Sequence, residues 1–222
     1  MLSHVLLIIA TVIGSVWGQS KCDDGLYSTC QTTLNGALQI NNTQPWRNPA
    51  LWRDDVEKYF RSGFNGTRVV CKAFREFKNC LGGNYTVCTS AAHYIQAGAA
   101  EVDNAYIFSS IFNEMHYVCG AGLQVAALND ACFQATWQNF GSTIRSCRQA
   151  WESIVKVTPG DACFQANNML GCNEDYFGRQ CGKTNQAAMF WGCEYARVQV
   201  FTRFPQCLIS CSLPIAGGGV GK

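Results

Sequence analysis

Apolar residues recur every three or four positions along most of the chain, which is the spacing of an α-helix that buries one face. Strict alternation of apolar and polar residues, the pattern of β-strands, is scarce. The pattern predicts an all-α fold with six helices bounded by capping and helix-breaking residues. They run from Asn48-Pro49 to a stop at Gly63, over 67–81, over about 104–119, from Asp130 to a break at Thr158-Pro159-Gly160, from Asp161 to Gly171, and over 185–203.

Two features repeat along the chain. The hexapeptide Asp-Ala-Cys-Phe-Gln-Ala occupies residues 130–135 and again 161–166. Two cysteine triplets are also similarly spaced, namely Cys71, Cys80 and Cys88, and Cys163, Cys172 and Cys181. We interpret these two repeats as a duplicated helix–loop unit, which would give two similar helical halves with their boundary, or seam, near residue 120. The alternative is that helix starts preceded by Asp simply resemble one another.

Fourteen cysteines, an even number, follow the first twenty residues. They are Cys22, Cys30, Cys71, Cys80, Cys88, Cys119, Cys132, Cys147, Cys163, Cys172, Cys181, Cys193, Cys207 and Cys211. In an oxidising compartment this count predicts seven disulfides. Zinc is the alternative, but structural zinc sites usually contain a Cys-x-x-Cys pair, which is absent. The pairing stays open, since fourteen cysteines allow on the order of 10⁵ pairings.

The first residues have the layout of a secretory signal peptide, with an apolar run from Val5 to Val16 and small residues before Gln19. The run is too short to cross roughly 30 Å of hydrocarbon, and polar residues interrupt every later apolar stretch. We therefore predict a signal peptide over 1–18, a disulfide-rich helical domain over 19–211, and a flexible glycine-rich tail over 212–222.

Three N-glycosylation sequons lie in the first half of the chain: Asn41-Asn42-Thr43, Asn65-Gly66-Thr67 and Asn84-Tyr85-Thr86. None has proline in the middle position, so we predict that Asn41, Asn65 and Asn84 are glycan acceptors in surface loops. Together with the signal peptide and the cysteines, the sequons predict a secreted, extracellular glycoprotein without a membrane span.

The charge of the chain is nearly balanced, with a net value of +2. Residues 47–78 are richer in Lys and Arg than the remainder, which would suit a sulfated glycan or another anionic extracellular partner. Solvated helix faces explain this excess more simply. The small net charge and the predicted compartment argue against nucleic acid binding.

The sequence contains no recognisable catalytic motif. Neither a Gly-x-Ser-x-Gly nor a His-Glu-x-x-His pattern occurs, and only His93 and His116 follow the signal peptide. The acids of Asp54-Asp55-Glu57 lie in the opening turns of a predicted helix, where they stabilise its dipole. We therefore predict a protein that is not an enzyme and binds no cofactor or metal.

Aromatic side chains are abundant, with 13 Phe, 8 Tyr and 6 Trp. At helical spacing such residues usually form an ordinary core. Those of the later predicted helices are also numerous enough to enclose a cavity for an apolar ligand. They are Phe133, Trp137, Phe140, Phe190, Trp191 and Phe201.

Cysteine spacing supplies the one family resemblance. The chain contains Cys71-x8-Cys80-x7-Cys88, then Tyr117-Val118-Cys119, then Cys163-x8-Cys172-x8-Cys181-Gly182 and Cys193. In this it resembles the secreted nematode proteins grouped as domain of unknown function 19, over most of the chain from Cys22 to Cys211. The repeated hexapeptide and the glycine-rich tail depart from that pattern. The resemblance implies a secreted helical fold and no activity, so no functional residues carry over.

Three functions are compatible with these features, in order of preference. The first is a non-enzymatic secreted glycoprotein that serves as a structural or interaction component of a matrix, secretion or body fluid. The second is a soluble extracellular carrier of small apolar ligands, which would require an aromatic-lined cavity above roughly 300 Å³. The third is an unrecognised secreted hydrolase, which would require a cleft in which His93 or His116 faces a carboxylate.

Overall fold

The computed structural model describes residues 21–211, so the predicted signal peptide and the predicted tail lie outside the described residues. Within this range the chain forms α-helices and short 3₁₀ turns, without a β-strand. The helices are α1 (Asp24–Ala37), α2 (Pro49–Phe60), α3 (Gly63–Leu81), α4 (Tyr85–Cys88), α5 (Ala91–Gln96), α6 (Val102–Cys119), α7 (Leu123–Leu128), α8 (Asp130–Val157), α9 (Ala162–Cys181) and α10 (Gln186–Arg203). The predicted all-α fold is confirmed. None of the helices within residues 21–211 has the length and apolar character needed to cross a bilayer.

Side-chain caps explain why several helices begin where they do. The Asn48 side chain accepts a hydrogen bond from the Leu51 amide at the start of α2, and Asn185 accepts one from the Ala188 amide at the start of α10. α8 continues for 28 residues and ends before Thr158, as the break at Pro159 predicts. These three starts and stops agree with the sequence pattern.

Two predicted helix ends are wrong. Gly63 does not end α2 but begins α3, with a positive φ of 66°. The next amide, that of Phe64, donates to Asp130 Oδ1 at 2.6 Å, so a side chain from α8 caps α3. The second error concerns α9, which continues through Gly171 to Cys181. A glycine inside a helix costs only about 1 kcal/mol, and buried Leu170 and Asn173 on either side pack this segment into the core.

All fourteen cysteines form disulfides, as predicted, and none is free. The pairs are Cys22–Cys88, Cys30–Cys80, Cys71–Cys119, Cys132–Cys181, Cys147–Cys172, Cys163–Cys207 and Cys193–Cys211. Three bridges lie within residues 21–119, which we call the N-terminal half, and four lie within residues 123–211, the C-terminal half. No bridge joins the two halves.

The two halves share one order of pairing. In the N-terminal half the six cysteines pair first with fifth, second with fourth and third with sixth. The C-terminal half repeats this order when its additional bridge, Cys193–Cys211, is set aside. In the N-terminal half one bridge connects α1 with α3, one connects α3 with α6, and one connects Cys22, just before α1, with α4. In the C-terminal half two bridges connect α8 with α9, and the third connects α9 with Cys207, which follows α10. This order supports the duplication with its seam near residue 120, which stays a prediction.

The two copies of the repeated hexapeptide do not occupy equivalent places in this pairing order. Their cysteines, Cys132 and Cys163, are the first and the third of their half. The phenylalanines that follow them also differ, since Phe133 is buried and Phe164 is 72% exposed. The hexapeptide therefore lies at the starts of two helices in unlike surroundings.

A buried ionic network holds the halves together where α2 and α6 meet α8 and α10. Arg53, 1% exposed, pairs with Glu114 at 2.9 Å and with Glu152 at 3.1 Å. Arg148 pairs with Glu57, which also accepts a 2.8 Å hydrogen bond from the Tyr195 hydroxyl. Buried charges are tolerated only when such partners compensate for lost hydration. Glu57 and Arg53 thus serve this interface, rather than a helix dipole or a solvated basic face.

Candidate binding pocket

A pocket of about 450 Å³ opens between α1, the segment 40–46 and α5. We call it the α1–α5 pocket. Tyr27, Trp46 and His93 form its aromatic wall, with the Tyr27 ring centroid 6.0 Å from that of Trp46 and 4.7 Å from that of His93. The remaining lining residues are Lys21, Asp24, Ser28, Gln31, Thr32, Asn35, Gly36, Ile40, Asn41, Asn42, Thr43, Gln96 and Ala97.

The floor of the pocket is a chain of hydrogen bonds along one face of α1. The Tyr27 hydroxyl donates to Gln31 Oε1 at 2.9 Å, and Gln31 Nε2 donates to Asn35 Oδ1 at the same distance. Asn35 in turn donates to the Asn42 carbonyl at 2.6 Å. Because these three α1 residues are spaced four apart, they share one helix face. α1 therefore directs polar side chains toward the pocket, and the hydrogen bond from Asn35 to Asn42 holds the segment 40–46 in place.

Two polar atoms beside the pocket, Trp46 Nε1 and His93 Nε2, are buried without a hydrogen-bond partner among residues 21–211. An unpaired buried polar group costs about 1–3 kcal/mol, and such groups are rare enough in folded proteins to require an explanation. Both residues line the pocket, and His93 itself is 7% exposed. Both unpaired atoms thus belong to side chains of the pocket wall, which makes this wall the candidate for contact with a ligand.

The charges around the pocket nearly cancel. Lys21 and Asp24 are exposed and of opposite sign. Burial lowers the pKa of His93, and the nearby Asp24 carboxylate opposes this only in part. The imidazole is therefore neutral at neutral pH. Burial also raises the pKa of Tyr27, so its hydroxyl remains a hydrogen-bond donor. The pocket consequently favours an uncharged ligand.

A metal ion does not suit this site. Cys22, Asp24 and His93 bring potential ligand atoms within 4.8 Å of one another. The sulfur of Cys22 is bonded to Cys88, however, and only a thiolate binds metal strongly. Two ligands then remain, one of them an exposed carboxylate, which is fewer than a zinc site uses.

The pocket also contains the three residue types of a serine hydrolase, Asp24, Ser28 and His93. The catalytic arrangement requires that Nδ1 of the histidine donate to the aspartate and Nε2 accept from the serine. Here Nδ1 lies 3.9 Å from Asp24 Oδ1, beyond hydrogen-bond distance, and Nε2 has no partner among the described residues. The pocket therefore has a histidine that faces a carboxylate, but no hydrogen bonds join Asp24, His93 and Ser28 within the described residues.

The aromatic residues of the later helices pack against one another, which is the ordinary core that their helical spacing favours. The Phe133 and Trp191 ring centroids are 5.0 Å apart, and Trp191 stacks on Tyr195 at 5.5 Å. The space left beside Phe133, Trp137 and Trp191 measures about 10 Å³, which is room for one water at most. Phe140 and Phe190 are half-buried, and Phe201 lies on the surface. At this place the packing agrees with an ordinary core and not with the alternative of a ligand cavity.

His116 lines a separate, open groove between α6 and α10. The carboxylate in that groove, Glu194, accepts two hydrogen bonds from Arg197 at 2.7 and 2.8 Å. The same guanidinium covers the Phe201 ring at 5.7 Å. Because Arg197 already neutralises Glu194, the groove offers His116 no free carboxylate.

The three predicted glycan acceptors occupy different environments. Asn41 is exposed and lies in the segment between α1 and α2, at the α1–α5 pocket. Asn65 is exposed but belongs to the first turn of α3, so its placement in a loop is wrong. Asn84 is half-buried in a 3₁₀ turn. Asn41 is thus the sequon that combines a loop, exposure and closeness to the pocket.

Comparison with protein-family models, with curated proteins and with solved structures finds no match to this chain. The resemblance to the nematode proteins grouped as domain of unknown function 19 stays a prediction.

Proposed function

We propose that the protein is a secreted, non-enzymatic binding protein that holds a small amphipathic molecule in the α1–α5 pocket. One observation carries this proposal. A concave site of about 450 Å³ combines aromatic walls with two buried polar atoms, Trp46 Nε1 and His93 Nε2, that lack partners within residues 21–211. Ligand pockets typically measure about 300–1,000 Å³ and join apolar walls to a few polar groups.

Secretion is part of the proposal and has support of its own. Seven disulfides in a chain of this size are typical of an oxidising compartment. The predicted signal peptide and sequons agree with this location. We prefer the carrier hypothesis to a purely structural role, because a structural role does not require a pocket.

The lining of the pocket narrows the chemistry of the ligand. Trp46 Nε1 can only donate a hydrogen bond, so the ligand carries an acceptor such as a carbonyl or hydroxyl oxygen. The Tyr27 and Trp46 rings suit a flat apolar body. Lys21 and Asp24 offset each other, so no net charge is selected. We infer an uncharged molecule with an aromatic or alicyclic body and at least one oxygen.

A fluorescent naphthalene ketone, 6-propionyl-2-(dimethylamino)naphthalene, has these properties and serves as the probe. We expect saturable binding of one probe per chain, with the emission shifted to the blue. Thr32→Trp should abolish it, because an indole on the exposed Thr32 position fills the pocket. Ser146→Trp, on the exposed surface of α8, is the matched control and should bind normally. Equal binding by both variants would refute the assignment of the site.

A milder substitution tests the role of the unpaired donor. Trp46→Phe keeps an aromatic ring but removes the N–H group. One lost hydrogen bond of about 0.5–1.5 kcal/mol should weaken probe binding roughly two- to tenfold. Unchanged affinity would show that the ketone oxygen does not use this donor.

Hydrolysis is the second candidate, since Asp24, Ser28 and His93 line the same pocket. The proposal predicts that the purified protein does not turn over p-nitrophenyl acetate above the rate of its Ser28→Ala variant. Ser28 is exposed, so this substitution leaves the fold intact. Turnover that disappears in both Ser28→Ala and His93→Ala would contradict a non-enzymatic function.

A further inference from the structure

We propose that Asn41 carries an N-linked glycan at the mouth of the α1–α5 pocket, and that this glycan slows the entry and exit of the ligand. The inference rests on the proposed binding function. It adds a modification site and a means of controlling access.

The position of the sequon is the first argument. Asn41, Asn42 and Thr43, the complete acceptor sequence, all line the pocket. Asn41 and Thr43 are also exposed, so the acceptor residue is at once solvent-accessible and part of the pocket lining. The other two acceptors, Asn65 and Asn84, do not line this pocket. One of the three sequons is therefore placed where a glycan would affect binding.

The second argument is that this segment is anchored on both sides of Asn41. On one side, the Ile40 amide donates to the Asn35 carbonyl at 2.9 Å, and the Ile40 side chain is buried. On the other side, the Asn42 carbonyl accepts from Asn35 Nδ2 at 2.6 Å, and its side chain accepts from the Gln44 amide at 3.0 Å. The base of the glycan is consequently held beside the opening.

The chemistry of a glycan determines what it does there. A glycan is bulky and strongly hydrated, so it occupies the solvent above the opening rather than the aromatic interior. It would obstruct the path of the ligand without contacting the bound molecule. Such an obstruction raises the barrier to association and dissociation alike, so both rates fall while the dissociation constant stays nearly the same.

Two measurements test the proposal. Glycopeptide mass spectrometry of the secreted protein should show an occupied Asn41. Stopped-flow mixing with the naphthalene ketone should show that Asn41→Gln and Thr43→Ala associate and dissociate about three- to tenfold faster than the glycosylated wild type. The two variants remove the same glycan by different substitutions. Asn65→Gln, which removes a sequon elsewhere, is the control and should match the wild type.

An unoccupied Asn41 would overturn the proposal, and so would an occupied Asn41 with rates equal to those of the two variants. Failure of the binding function looks different. If no form of the protein binds the probe, the proposed effect of the glycan on ligand exchange is rejected together with the binding site. The mass spectrum still decides independently whether Asn41 is modified.

Discussion

The two halves of the molecule have the same order of disulfides but very different connections between their helices. In the N-terminal half, residues 38–62 join α1 to α3 and residues 82–101 join α3 to α6. The corresponding connections of the C-terminal half are only residues 158–161 and 182–185. The long connections contain α2, α4 and α5 as well as the wall of the pocket. The shared order of disulfides therefore does not by itself produce a pocket.

The interiors differ as much as the connections. The pocket of the N-terminal half measures about 450 Å³, whereas the space beside Phe133, Trp137 and Trp191, which Phe60 and Phe64 also line, measures about 10 Å³. Gly122 shows how tightly the latter is packed, since its carbonyl accepts a 3.0 Å hydrogen bond from Trp191 and a Cβ would lie 2.6 Å from that nitrogen. The C-terminal half thus contains closely packed aromatic residues, and the N-terminal half contains the pocket.

Replacing one tryptophan in each half gives the largest contrast. Trp191→Ala should lower the free energy of unfolding by about 3–5 kcal/mol, because it leaves a cavity in a close-packed core. Trp46→Ala should cost clearly less, since Trp46 is half-buried on a pocket wall and its indole N–H has no partner in the described chain. Denaturant unfolding without reductant measures both. Equal losses would mean that the halves are packed alike.

Breaking the ionic network tests how the halves are held together. Arg148→Ala should cost about 3–5 kcal/mol, because it leaves the buried Glu57 carboxylate without its partner. The control is Arg179→Ala, which breaks an exposed pair with Asp175 and should cost less than about 1 kcal/mol. Similar small losses for both would contradict a structural role for the network.

Glu114 should make stability depend on pH. Burial raises the pKa of Glu114 from 4.5 to about 7, although Arg53 and Arg148 oppose the rise. The folded state thus binds a proton more tightly than the unfolded state, so this contribution is complete below pH 4.5 and is lost as the pH rises through 7. Between these values the stability of the wild type relative to Glu114→Gln should fall by roughly 1–3 kcal/mol. Parallel curves for the two proteins would refute the shift.

The repeated hexapeptide offers the smallest expected effect. Phe164→Ala should change the free energy of unfolding by no more than about 0.5 kcal/mol, because this side chain is 72% exposed. The identical substitution at Phe133, which is buried, should cost several kcal/mol. The pair compares the same residue in the same local sequence. A comparable loss at both positions would make the repeats structurally equivalent after all.

Much of the fold could be predicted because its long helices have apolar faces and recognisable caps. The apolar pattern does not predict α1, the helix that builds the pocket floor. Its inward face carries Gln31 and Asn35 beside Tyr27, Cys30 and Leu34, so the apolar spacing is interrupted where polar groups are buried. The Asp23 cap and the spacing of Tyr27, Cys30 and Leu34 were the available signals.

The pocket itself could not be predicted, because it depends on contacts between distant segments. The sequence singles out His93 only as a candidate for hydrolase chemistry. Nothing in its neighbours along the chain shows that it packs against Tyr27, 66 positions earlier. Trp46 was likewise indistinguishable from a core residue. The disulfide order is also a property of the folded chain, since the count of cysteines leaves every pairing open.

The most direct test of a ligand-binding N-terminal half is the native mass spectrum of the protein purified from the medium of secreting cells. We predict a glycoprotein mass with an additional small molecule that is released on denaturation and is missing from Thr32→Trp. The same additional mass in Thr32→Trp, or a wild type that carries no small molecule and takes up none of the naphthalene ketone, would contradict the proposed function.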